Sequence, residues 1–496
     1  MTEPVVNEWR NVSFTPARVE KPESVEAIQD IVKKAHAAGQ KIKVIGGRHS
    51  MNNIFKTDGI IVDLSNLNRV LSIAPEKHVV EVEAGLTLGE AIVACANRGL
   101  HFPSLGSWYT QSIAGAIATS THGSSLSHGS LSDMVLEVEA VLADGRVQKF
   151  SGNSNEMKAM RCHLGRLGIL TKVKLQLGPA FSLNCVITRL PCEMAFRRVL
   201  EIAKAQEYFN MLWIPDFDMA DLRVLKRMPL RHRNQAALNL EHSYMKRSML
   251  SLRVEDVFSF FAAHLYQLLP WLYGMRYCRL VQNAFFEDQG VIDNSYRVFL
   301  YDLYREPTEN HRLRMIMNVE YAFDVSKPKD EDMPDKPEED KLEPLLLEVR
   351  EKLKEFRAKG HYLCYPRINI RFAKKSDETL IGMNADRDTA YVGLYVLGSV
   401  QHRRQIPIAE AIEEIFIRHN GRPHWGKYRY LTSKDYEKTY SGLAAFEAVR
   451  ARLDPDGMFS ADRDMFDDLD RFEQPPIGAM IRSVFSSEDY WQIRLL

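Results

Sequence analysis

Four short runs of this chain combine residue types that can hold an anionic, partly planar ligand and move charge beside it. The first, Lys41-Ile42-Lys43-Val44-Ile45-Gly46-Gly47-Arg48-His49-Ser50, is a short apolar strand ending in two glycines, with a histidine and a serine close behind. Glycines at a strand end let the backbone bend tightly and approach a ligand, leaving amide N–H groups for phosphate oxygens. His49 then stands at the ligand rather than in a core. The second run goes from Ser104-Leu105-Gly106-Ser107 through Ser112-Ile113-Ala114-Gly115 to Thr121-His122-Gly123-Ser124-Ser125. Its small residues let a flat group lie against backbone and offer many N–H and hydroxyl donors. The third, His163-Leu164-Gly165-Arg166-Leu167-Gly168-Ile169-Leu170, again sets glycines beside a strand. In the fourth, Gly421-Arg422-Pro423-His424-Trp425-Gly426-Lys427, a rigid proline, an aromatic plane and a lysine fall together, and Lys427 can face an anionic group. Each run also has a plain structural reading: a tight turn, a packed helix start, a satisfied core histidine at His163, a surface loop around a buried tryptophan. Three such clusters in one domain favour the ligand. The Rossmann fingerprint is absent, because no third glycine opens a helix and Met51-Asn52-Asn53 leads instead to a strand.

The elements that must position these residues alternate in type. Pro22 to Ile28 starts a helix and Gly39 stops it. Val79 to Gly85 reads as a strand, and Leu88 to Arg98 as a helix closed by Gly99. Val135 to Leu142 alternates at period two, and Ala143-Asp144-Gly145-Arg146 turns it into Val147 to Phe150 as a hairpin. The pattern predicts an α+β first domain over residues 1–178, a mixed second domain over 179–420, and a segment 421–496 whose helices pack back on the first domain. Val257 to Met275 carries no Asp, Glu, Lys or Arg, but holds His264, Gln267 and Pro270. It is close to the shortest length that spans a bilayer, and Pro270 would kink it, so a buried or interfacial helix is favoured over a span. Ser326 to Lys341, rich in Asp, Glu, Lys and Pro, cannot form a packed core and is expected to be an exposed acidic loop.

Bulk composition narrows the classes. The 496 residues hold 65 basic and 65 acidic side chains, which argues against a nucleic-acid binder with its clustered basic surplus. The six cysteines form no Cys-x-x-Cys pair, so neither a zinc site nor a redox pair is signalled, and no metal is expected. The N-terminal residues lack an apolar signal core, and the setting expected is cytoplasmic or membrane-associated rather than secreted.

The four runs, with Val319-Glu320-Tyr321 and Leu453-Asp454-Pro455-Asp456-Gly457-Met458-Phe459, occur in an order that resembles the vanillyl-alcohol-oxidase superfamily of flavoproteins, and within it the aldonolactone oxidases. The resemblance spans nearly the whole chain. It implies a two-part FAD-binding domain and a substrate (cap) domain with a mixed or antiparallel sheet and helices. It implies FAD bonded covalently through His49 to the flavin 8α-methyl group. Gly46, Gly47, Arg48, Ser50, Ser112, Gly115, Thr121, His122, Gly123, Ser124, Gly168, Ile169, His424 and Lys427 match positions around that cofactor. Arg371 matches an arginine that stabilises the reduced flavin, Lys427 a lysine near flavin and substrate hydroxyl, and the loop at Ser112 lies near the reacting face. Hydride transfer to flavin N5 puts negative charge on the ring, and fixed cations there lower the barrier. The region after residue 250 resembles a membrane-associating part of one branch of the family, which leaves peripheral membrane association open.

One departure bears on the substrate. The strand Pro366-Arg367-Ile368-Asn369-Ile370-Arg371-Phe372 carries Asn369 where the family often has a glutamate. Asn can hydrogen-bond a hydroxyl but cannot accept its proton. Three functions follow. One is an FAD oxidase acting on a CH–OH group of a sugar-lactone-like or alditol-like substrate, with oxygen as acceptor and peroxide as product. The second is a dehydrogenase or reductase on the same fold, with a less polar substrate and another acceptor. The third is a flavin-binding or membrane-associated scaffold without turnover.

Overall fold

The computed structural model describes residues 3–9, 11–228, 290–292, 316–326, 341–361, 363, 367–397, 402–431 and 435–460. The apolar stretch 257–275, the acidic loop between its ends at Ser326 and Lys341, and the chain past Ser460 lie outside these residues. Among the described residues no helix is long and apolar enough to cross a membrane.

Two sheets form the first part. Arg18–Glu20, Ile60–Asp63 and Ile42–Ile45 make a three-stranded parallel sheet with Ile60–Asp63 central. Its central strand buries Ile60, Ile61 and Val62 on both faces, as a parallel strand with both faces covered should. The helix Val25–Ala37 starts at Ser24, whose side chain accepts the Ala27 N–H, a cap that contributes about 1 kcal/mol. It buries Ile28, Val32 and Ala35, a spacing that puts them on one helical face. The second sheet is antiparallel, in the order Val147–Ser151, Val135–Val141, Ile169–Gln176, Val79–Glu83, Val70–Ala74. It contains the expected hairpin.

The second part is an eight-stranded antiparallel sheet. Its order is Gly290–Ile292, Ser182–Pro191, Met219–Met228, Tyr208–Ile214, Ile368–Ala373, Thr389–Leu397, Ile316–Asp324, Arg422–Pro423. The helices Cys192–Ala205, Leu342–Ala358 and His402–Arg418 pack together, and the first and third also pack on its strands. Alternation then sorts the side chains. Tyr321 bonds Glu413 of the helix His402–Arg418, while Glu320, one residue earlier, turns to the opposite face. The same parity puts Arg371 and Tyr391 on that opposite face, towards the first part.

The chain does not leave this sheet at residue 420. Arg422–Pro423 pairs with Tyr321 and Ala322 as the sheet's last strand. Beyond it, the helix Leu443–Leu453 ends at Asp454, whose carboxylate accepts the Met458 and Phe459 N–H groups. That turn delivers the Met458 carbonyl to the Ile42 N–H, so the described end of the chain lies against the first sheet.

Candidate active site

The turn after Ile42–Ile45 is built by backbone. A Cβ on Gly46 would lie 1.9 Å from Ser112 Oγ, and one on Gly47 would lie 2.2 Å from the Thr110 carbonyl oxygen, so both positions require glycine. Arg48 then adopts a left-handed φ of 54°, which is rare outside glycine and reverses the chain. The Arg48 carbonyl accepts the Glu8 N–H, and the His49 carbonyl accepts Trp9 Nε1 at 2.8 Å. The N-terminal arm thus clamps the turn. His49 Nε2 lies 2.6 Å from Thr110 Oγ1, and its ring stacks near Trp108 at 5.7 Å.

Two clefts meet at this histidine. One, of about 810 Å³, runs past Lys43, Gly46, Gly47, Ser112, Gly115 and Gly168. The other, of about 790 Å³, holds His122, Glu320, Arg371, Tyr395, His424 and Lys427. His49, Ser50, Gln111 and Thr119 line both. An elongated ligand with an anionic middle fits the first: Gly46, Gly47, Gly115, Gly165 and Gly168 give it backbone in its wall, Ile54, Phe55 and Leu170 give it apolar surface, and the buried Lys43 ammonium lines it while donating to the Phe459 carbonyl. FAD has this form, and the residues present accommodate it.

The second cleft concentrates charge. Glu320 Oε1 lies 2.9 Å from His122 Nε2, and its Oε2 lies 3.1 Å from Arg371 Nη2 and 3.4 Å from Asn318 Nδ2. The carboxylate reaches Arg371 diagonally across the intervening strand Thr389–Leu397 over Gly393, which pairs with Glu320 on one side and Asn369 on the other; a Cβ there would lie 3.0 Å from Glu320 Oε2. Burial pushes the Glu320 carboxyl up, but Arg371 and the His122 hydrogen bond outweigh it and hold the group well below the usual carboxylate range. His424 is kept neutral by burial, against the pull of Glu320. Its Nδ1 accepts the Gly426 N–H at 3.0 Å, so the proton sits on Nε2, where it can be donated. The ligand atoms of His122, Glu320 and His424 lie within 4.8 Å of one another. With a guanidinium already on the same carboxylate, this is a hydrogen-bonded cluster rather than a metal centre.

The loop bearing Lys427 is fixed from both sides. Asn52 Nδ2 donates to the Trp425 carbonyl at 2.6 Å, and the His424 and Tyr428 N–H groups donate to the Glu320 and Asn318 carbonyls.

Of the residues singled out in the sequence, Gly46, Gly47, Arg48, His49, Ser50, Ser112, Gly115 and Gly168 line the first cleft. Thr121, His122, Arg371, His424 and Lys427 line the second. Five do not sit as expected. Ser112 lines the first cleft rather than the reacting one, and its hydroxyl caps the helix Ile113–Ala118 by accepting the Gly115 N–H. Asn369 shares the sheet face of Glu320 and Arg371 but is not in the lining of the second cleft; it donates to the hydroxyl of Tyr395, which is, at 2.7 Å. Ser124 ties two strands of the large sheet together, bonding the Phe209 carbonyl and the Phe372 N–H. Gly123, which donates its N–H to Ser104 Oγ, and Ile169, buried at a strand start, line neither cleft. Glu320 was missed as a site residue although its motif was recognised, and so were Trp9, Trp108 and Tyr395. A glutamate facing inward at a strand position was the available signal.

Residues 16–151 match the FAD binding domain family, and residues 335–468 match the D-arabinono-1,4-lactone oxidase family. The L-gulonolactone oxidase of Mus musculus is 29% identical over 90% of this chain and 93% of its own length. The L-gulono-1,4-lactone dehydrogenase of Mycobacterium tuberculosis is 27% identical over 92% of this chain and 98% of its own. Among solved structures, a cholesterol oxidase from Brevibacterium sterolicum superposes with a TM-score of 0.68 at 17% identity, covering 96% of this chain and 97% of that one. The last likeness establishes the fold.

Proposed function

This chain is an FAD-dependent oxidoreductase of the vanillyl-alcohol-oxidase superfamily, of the aldonolactone oxidase type, and from that premise we propose that it oxidises a ring CH–OH group of a sugar lactone, with oxygen taking the electrons. The observation that carries the proposal is the second cleft, where Arg371, Lys427 and neutral His424 converge beside His49. FAD, when bound, supplies an acceptor for the hydride of the carbinol carbon and passes the electron pair on; with the hydroxyl proton and oxygen, the balance closes as lactone ketone and hydrogen peroxide.

The chain's own residues do the rest. Gly46 and Gly47 admit the cofactor to the backbone, and His49, at the meeting of the two clefts, is the attachment point. Lys427 and the His424 Nε2–H face the cleft as donors to the substrate's oxygens. Arg371, held by Glu320, supplies a fixed positive charge where negative charge develops. Asn369 cannot take the hydroxyl proton, and it orients Tyr395 at the cleft wall. The site holds too many convergent charged groups for the scaffold reading.

The mycobacterial relative is named a dehydrogenase, which favours a second reading in which a different oxidant reoxidises the enzyme. One experiment separates them. Purified enzyme is incubated in air with L-gulono-1,4-lactone, D-arabinono-1,4-lactone and an alditol, and peroxide is measured. One peroxide per lactone oxidised supports the oxidase. Lactone oxidation that needs an added dye supports the dehydrogenase. Failure of every lactone to reduce the flavin rejects the substrate class.

A further inference from the structure

We propose that His122 and Glu320 together retain a proton that makes His122 an imidazolium, with Glu320 as the positioning residue that holds His122 and Arg371 as two neighbouring fixed cations. The inference rests on the flavoenzyme reading above and deepens it. Each ring nitrogen of His122 faces an oxygen at hydrogen-bonding distance: Nδ1 is 2.9 Å from the Gly123 carbonyl, and Nε2 is 2.9 Å from Glu320 Oε1. A carbonyl oxygen accepts and never donates, and so does an ionised carboxylate. A neutral imidazole has one N–H and one lone pair, so either tautomer would aim a lone pair at an oxygen. One further proton removes the conflict.

The surroundings decide where that proton sits. Arg371 Nη2 at 3.1 Å and Asn318 Nδ2 at 3.4 Å both face Glu320 Oε2 and favour the carboxylate, which leaves the proton on the imidazole. Tyr391 covers the ring face, with centroids 3.4 Å apart and planes 10° from parallel. From the loop, His424 Nε2 comes to 3.9 Å of Glu320 Oε1, and Lys427 lines the same cleft. Burial is the largest influence on His122 and, with the charge of Arg371, pulls its pKa below the usual imidazole range; the Glu320 carboxylate and the Gly123 carbonyl pull the other way, and it is the acceptor oxygen at each ring nitrogen that assigns the proton. Among the described residues lining the cleft, Glu320 is the sole carboxylate. The trio of Arg371, His122 and Glu320 therefore leaves one net positive charge in the cleft wall. It also removes His122 as a proton acceptor, since both of its nitrogens already carry hydrogen.

The test reads the proton directly. Flavin-loaded, full-length protein is prepared with isotope-labelled histidine, and the ring nitrogens are observed by NMR near neutral pH. His122 is identified by the signals lost in His122→Gln. Both His122 nitrogens are expected to be of the N–H type in the parent protein, and one is expected to become lone-pair type in Glu320→Gln. A lone-pair nitrogen on His122 in the parent protein overturns the proposal, as does a Glu320→Gln spectrum with both nitrogens still protonated. Should Glu320→Gln fold poorly, the parent spectrum alone decides. The NMR test does not depend on turnover, so an inert lactone would defeat the proposed function and leave the protonation of His122 standing. For the positioning role, Glu320→Gln should slow flavin reduction by about tenfold or more, the loss expected when one charge-assisted hydrogen bond no longer fixes Arg371. An unchanged reduction rate overturns that part.

Discussion

Gly393 shows how much one missing side chain allows. It stands opposite Glu320 on one neighbouring strand and opposite Asn369 on the other, so Glu320 can cross it to Arg371. Gly393→Ala places a methyl 3.0 Å from Glu320 Oε2 and 3.3 Å from Asn318 Oδ1. The carboxylate must then shift by a few tenths of an ångström. A displacement of a positioned charge on this scale should cost roughly tenfold in flavin reduction with little change in FAD content, measured by rapid mixing and absorbance. Lys427→Ala removes a cleft cation outright and should slow the same step by about a hundredfold while FAD binding persists. At His49 the prediction is covalent. His49→Ala should release all flavin on acid precipitation and keep some non-covalent FAD in the native protein; acid-stable flavin in that variant would place the attachment elsewhere. Glu320 was not legible as a site residue because its partners come from Thr121-His122 and from Arg371, far away in sequence, and only the strand register brings them together.

At the scale of elements, the Gly46-Gly47-Arg48-His49 turn was readable because strand, glycine pair and histidine are local. What the sequence did not disclose is why both glycines are needed. The answer lies in the segment Thr110–Ser112, which packs against the turn, with Ser112 Oγ and the Thr110 carbonyl oxygen occupying the space of any Cβ. Gly47→Ala should therefore destabilise the protein by about 1–3 kcal/mol and weaken FAD retention, read as a lower thermal midpoint and less yellow protein. Ser112, which the resemblance puts near the reacting face, lines the first cleft, and its hydroxyl caps a helix. The hairpin Val135–Val141 with Val147–Ser151 was visible from period-two alternation. The order of the eight-stranded sheet was not, since Tyr208–Ile214 pairs with Ile368–Ala373 across a long stretch of intervening chain.

The molecule as a whole carries buried histidines that record pH. Burial pushes His163 down to about 4, with Lys43 adding to the shift, and pushes His101 down to about 3, with Arg227 and His128 adding to it. In the unfolded chain both would titrate near 6.5. Between those values the unfolded state binds protons that the folded state refuses, so stability is complete above about pH 6.5 and falls as the pH drops towards about 4. The thermal midpoint should decline across that window, and His163→Gln should make the decline shallower; an equal slope in the variant would remove His163 as a cause. The overall architecture was legible as an α+β chain with a cofactor-binding first part, because its motifs are local. The joining of Arg422–Pro423 to the large sheet was not, because two residues carry no pattern of their own. The central claim is that both clefts serve one reaction, flavin in the first and lactone in the second. Its most direct test is anaerobic mixing of the purified yellow enzyme with L-gulono-1,4-lactone and D-arabinono-1,4-lactone, following the visible flavin absorbance. Rapid bleaching by at least one lactone, lost or strongly slowed in Lys427→Ala, is the predicted result. A flavin that stays oxidised with both lactones, in protein shown to be fully loaded, would contradict it.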